Sequence, residues 1–110
     1  MKYPHKLIRD KIPDIASDPL PLLPVDELTT QDHLALLCDK AHEEVEEVLA
    51  EIYRGDTEAL EEELADVFEV LAAIIKIGKV SETGIEDKRK YKREKRGGFD
   101  TPVLLNLKEE

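Results

Sequence analysis

Glu43-Glu44-Val45-Glu46-Glu47 and Glu61-Glu62-Glu63-Leu64-Ala65-Asp66 stand on either side of a Gly55-Asp56 turn signal, and the reading of this stretch decides the fold. Before the turn, Leu34, Leu37, Ala41, Val45, Val48 and Ile52 recur at helical spacing. After it, Leu60, Leu64, Val67, Phe68, Leu71 and Ile75 do the same. Thr29 followed three residues later by Asp32 is a capping pattern, so the first helix should begin at Thr29 or Thr30 and end at Tyr53-Arg54-Gly55. Asp56 or Thr57 should cap a second helix from Glu58 to about Ile77, with Gly78 as its C-terminal stop. The reading is an all-α protein built on a helical hairpin.

The acids are not all on the outside of these helices. At about 100° per residue and with Leu37 at zero, the six apolar residues of the first helix span about 0° to about 80°. Glu44 falls at about −20°, Glu51 at about −40° and Glu47 at about −80° on the same wheel. These three line one edge of the apolar stripe, whereas Glu43 and Glu46 point away. On the second helix, with Leu64 at zero, Glu63 falls at about −100° and Asp66 at about −160°. Val70, Ile74 and Ile77 occupy that sector in later turns. This helix is apolar on more than one side, which in so short a chain predicts a second subunit and a four-helix-type bundle completed by oligomerisation.

Residues 1–28 read as an N-terminal arm. Leu7, Ile8 and Ile12 would anchor it, Lys6, Arg9 and Lys11 would project from it, and Pro13, Pro19, Pro21 and Pro24 forbid a long helix. A short helical turn is expected near Arg9. Ser81 should cap a third helix over roughly Glu82–Arg96, ended by Gly97-Gly98. The tail, 97–110, carries Val103, Leu104, Leu105 and Leu107, enough for a short docked strand or an extended arm. The whole is expected to be a single domain, 1–110.

Composition narrows the function. Of 110 residues 38% are charged, and the net charge of −10 argues against general binding to nucleic-acid phosphates. Charge is segregated: thirteen of the 26 acids lie between Asp39 and Glu69, and seven of the 16 bases between Lys88 and Arg96. The lone Cys38 excludes an internal disulfide and reads as a small core residue. With no signal pattern and no apolar run of membrane length, a soluble cytoplasmic protein is expected. His5, His33 and His42 are not spaced as a metal set.

Residues three apart on a helix are neighbours, so Glu44 with Glu47 and Glu63 with Asp66 form two carboxylate pairs. Glu47 is seven residues before Arg54 and Glu63 six after Thr57, which puts the pairs at nearly one height in an antiparallel hairpin. Carboxylates without His or Cys suit Mg²⁺ or Mn²⁺, ions that also take phosphate oxygens. The competing reading is an acidic hairpin with solvated faces, and Glu43, Glu46, Glu58, Glu61 and Glu62 fit it.

Glu43-Glu44-x-x-Glu47, fifteen residues, then Glu63-x-x-Asp66 resembles the signature of the all-α nucleoside triphosphate pyrophosphohydrolases, which include MazG and phosphoribosyl-ATP pyrophosphohydrolase. Lys6-Leu7-Ile8-Arg9-Asp10-Lys11-Ile12-Pro13 and Lys95-Arg96-Gly97-Gly98-Phe99 resemble the flanking motifs of one MazG-like subgroup. The resemblance implies cleavage of a nucleoside triphosphate to monophosphate and pyrophosphate, by dimers or tetramers. It implies Glu44, Glu47, Glu63 and Asp66 as Mg²⁺ ligands, with Glu43 as a supporting carboxylate. Glu43 or Glu47 would accept a proton from the attacking water, and Lys92, Arg93, Arg96, Lys6 and Arg9 would contact phosphate. Alternatives are phosphoribosyl-ATP as substrate, a non-catalytic acidic interaction protein, and nucleic-acid binding through residues 88–96.

Overall fold

The computed structural model describes residues 6–108; residues 1–5, His5 among them, and 109–110 lie outside that range. Every regular element among the described residues is helical: α1 (Ile12–Ile15), α2 (Thr30–Arg54), α3 (Thr57–Ile77) and α4 (Glu82–Arg96). The expected all-α architecture is the observed one. The chain divides after Lys79 into two compact units, the first holding α1 to α3 and the second α4 with the tail.

The helix boundaries follow from caps. Thr29 accepts from the Asp32 amide at 3.0 Å and the Asp32 side chain accepts from the Thr29 amide at 3.2 Å, a reciprocal box that satisfies two donors. Such a cap contributes about 1 kcal/mol. α2 ends at Gly55, whose φ of 75° is left-handed and open to glycine without strain. Asp56 then caps α3, its carboxylate accepting from the Ala59 amide at 3.0 Å. At the far end of α3, Gly78 holds the expected cap position but keeps a helical φ of −79°, and the left-handed residue is Lys79.

α2 and α3 form the antiparallel hairpin, but not along the stripe expected. Leu36 and Leu37 are the buried apolar residues of α2, and Glu44 and Glu51 are buried beside them. Val45 and Ile52, expected inside, are 53% and 55% exposed. On α3 the half-buried sector includes Glu63, Asp66, Val70, Ile74 and Ile77, whereas Leu64, Phe68 and Leu71 are exposed. Each helix has an apolar arc wider than one hairpin contact covers. The hairpin uses the half that includes the acids, and the other half faces outward.

One further expectation is corrected: Cys38 is exposed rather than in the core. Of the two forms expected of the tail, its described residues take the arm and not the strand, and Phe99, Val103, Leu104, Leu105 and Leu107 are all more than four-fifths exposed. In the N-terminal arm the helical turn near Arg9 is present as α1, led by an Ile12 amide that donates to the Arg9 carbonyl at 3.1 Å.

Candidate metal centre

The rotated packing brings acids of both helices together along the hairpin contact. Glu44 of α2 and Glu63 and Asp66 of α3 each offer one carboxylate oxygen, and the three atoms lie within 4.8 Å of one another. Oxygens around an octahedral ion with bonds of about 2.1 Å lie about 3 Å apart when adjacent and about 4.2 Å apart when opposite. Small side-chain rotations therefore suffice to close these three on one hard cation. The donor set is all oxygen, as Mg²⁺ or Mn²⁺ prefers.

The cluster is short of positive charge. Partial burial, the charges of Asp66, Glu44 and Glu47, and hydrogen bonding with Glu44 push the Glu63 carboxyl above the ordinary carboxylate range. Among the described residues no ion pair reaches Glu63, while its two companions each have one. Lys40 lies 3.3 Å from Glu44 Oε2, and Arg9 Nη2 donates to Asp66 Oδ1 at 2.6 Å. Burial works against the charge of Lys40, but Glu43 and Glu44 outweigh it and hold its pKa above the usual lysine value.

Glu47 is exposed and falls outside the group of three, though its charge acts on Glu63. Glu43 is engaged elsewhere: Lys40 Nζ donates to its Oε1 at 2.7 Å and Lys6 Nζ lies 3.9 Å from its Oε2. The hydrogen bond from Lys40 is the main reason its carboxyl lies below the usual range. Glu51 is buried one turn beyond Glu47, its Oε2 3.3 Å from Arg54 Nη1 and its Oε1 without a hydrogen-bond partner.

Sequence reasoning missed Lys40 as part of this site. The signal was present, because Lys40 stands three and four residues before Glu43 and Glu44, the spacing of helical ion pairs. The Arg9–Asp66 contact spans 57 positions, and no local pattern announces it. An open groove of about 390 Å³ adjoins the cluster, with Leu37 and Val70 in its walls and Glu44, Asp66 and Arg9 at its polar side. Lys92, Arg93 and Arg96 belong to the second unit, where Arg93 lies 3.4 Å from Asp100 Oδ2. No helix of the described residues is long and apolar enough to cross a membrane.

The family model of the MazG nucleotide pyrophosphohydrolase domain matches residues 31–96, a span that contains Glu43, Glu44, Glu47, Glu51, Glu63 and Asp66. No curated protein and no solved structure matches the chain.

Proposed function

This chain belongs to the MazG nucleotide pyrophosphohydrolase family, and from that premise we propose that it hydrolyses a nucleoside or deoxynucleoside triphosphate to monophosphate and pyrophosphate with Mg²⁺. The observation that carries the reading is the convergence of Glu44, Glu63 and Asp66 across the α2–α3 contact. Glu44 is buried and Glu63 and Asp66 are half-buried along the face the two helices share, where charge is costly unless a cation offsets it. The raised Glu63 carboxyl is the part of that cost left uncompensated.

In this account Glu44, Glu63 and Asp66 hold the ion, and Glu47 stands at its open side as a fourth ligand or as the proton acceptor. When bound, Mg²⁺ supplies charge to the phosphate oxygens and acidity to a coordinated water. Of the two carboxylates considered for the proton, Glu47 is the better placed. Glu43 is tied to Lys40 and held in its ionised form, which makes it a weak base. Lys40 orients Glu44 through the ion pair between them. Lys6 and Arg9 are proposed as phosphate contacts from their place beside the acids, and Lys92, Arg93 and Arg96 from charge alone.

The exposed apolar half of the hairpin supports assembly into a dimer or tetramer. Val45, Leu49, Ile52, Leu64, Phe68 and Leu71 lie open on the two helices, more apolar surface than a soluble single chain ordinarily leaves bare.

The test is a panel of common and modified triphosphates, with phosphoribosyl-ATP beside them, assayed with Mg²⁺ and with chelator. Pyrophosphate release that chelator abolishes is expected for at least one triphosphate. Turnover of phosphoribosyl-ATP alone would move the substrate to histidine biosynthesis, and release of orthophosphate alone would overturn the proposed bond cleavage.

A further inference from the structure

Asp66 is paired with a cation that comes from the chain itself. Arg9 Nη2 donates to Asp66 Oδ1 at 2.6 Å, and Asp66 Oδ1 or its twin must serve any ion that joins Glu44 and Glu63. Arg9 sits on a strap, residues 6–11, that precedes α1 and lies along the groove through Leu7, Ile8 and Asp10. None of the described backbone hydrogen bonds of this strap reaches α2 or α3. Side chains alone hold it there: Leu7 is half-buried, Ile8 is exposed, and the Arg9 side chain is 58% exposed.

We propose that Arg9 is an internal counter-cation that a divalent ion displaces from Asp66, and that the freed guanidinium then binds substrate phosphate. The proposal rests on the reading of Glu44, Glu63 and Asp66 as a divalent-cation site. The energetics allow the exchange. An exposed pair of this kind is worth at most about fivefold in an equilibrium constant, far less than a divalent ion gains from three converging carboxylates. The planar fork of arginine also fits two phosphate oxygens at once, which a lysine cannot reproduce. Metal loading would in this way deliver a phosphate-binding group to the groove mouth.

The sign of one measurement separates this from a supporting role. A residue that orients a ligand carboxylate helps the ion bind, and its loss weakens affinity by about 10- to 100-fold. A residue that competes with the ion does the reverse. Mn²⁺ binding to the full chain without nucleotide, followed by electron paramagnetic resonance, is expected to be about two- to fivefold tighter in Arg9→Ala than in the wild type, the factor that corresponds to losing an exposed competing pair. In the same proteins loaded with Mn²⁺, binding of inorganic pyrophosphate is expected to weaken in both Arg9→Ala and Arg9→Lys. Mn²⁺ affinity that is unchanged or weaker in Arg9→Ala overturns the exchange, and unchanged pyrophosphate affinity overturns the phosphate role. Wild-type protein that binds no Mn²⁺ overturns the underlying site instead, and neither readout requires turnover.

Discussion

Replacing Glu63 by Gln is expected to lower pyrophosphate release by about two to three orders of magnitude, the size of loss when one preorganised electrostatic contact is removed, while making the metal-free protein more resistant to heat. The two effects have one origin. Glu63 is the acid of the cluster without an ion pair among the described residues, and its carboxyl is raised from 4.5 by burial and by the charges of Asp66, Glu44 and Glu47. A group whose folded value is raised binds its proton more tightly in the folded state. Its contribution to stability is complete below the unfolded value and is lost as pH rises through the folded one. Metal-free wild type should therefore gain more in melting temperature on going from pH 7.5 to pH 5 than Glu63→Gln does. Mg²⁺ at pH 7.5 should stabilise the wild type and leave the variant nearly unmoved. Wild-type turnover in Glu63→Gln, or equal pH responses of the two proteins, would contradict this account of the cluster.

A charge on the open apolar face should have an effect of similar size. Phe68 is 70% exposed on α3, between Leu64 and Leu71 on the same side. If a second copy covers this face, Phe68→Asp buries an unpaired carboxylate there, at a cost of several kcal/mol. The variant is expected to sediment near the 12.5 kDa of one chain, where the wild type sediments as a dimer or tetramer, and to lose most of its activity. Its helix content should persist, because Phe68 is not in the α2–α3 contact. A wild type that sediments as one chain, or a variant that keeps the wild-type mass, would remove the assembly from the account.

Much of the hairpin was legible in the residues themselves. Thr29 with Asp32, Asp56 and Ser81 name the starts of α2, α3 and α4, and Gly55 and Gly97 name two of their ends. Capping is local chemistry, so a short window contains it. The orientation of the packed faces was not legible. A helical wheel finds the apolar arc but not which part of it a neighbour in the same chain will cover. Val45 and Ile52 were therefore expected inside, and Glu44 and Glu51, placed at the edge of the stripe, are instead buried.

The candidate site shows the same division. Glu44, Glu63 and Asp66 were found from spacing and height along the helices, and the structure brings those three together. Glu47 was given equal weight, yet it stands at the exposed side. Lys40 was within reach of a local reading through its helical spacing to Glu44. Arg9 was not, since its contact with Asp66 depends on the path of the proline-stiffened arm. Cys38 failed for a plainer reason: an apolar residue records a capacity for burial, and a partner surface decides whether it is used.

The most direct test of the central claim, a divalent ion held between α2 and α3, is anomalous scattering from a crystal of the full chain grown with Mn²⁺. The account predicts a manganese peak bonded to carboxylate oxygens of Glu44, Glu63 and Asp66. Manganese bound only at other acids of the chain, or three carboxylates left without an ion at saturating Mn²⁺, would contradict it.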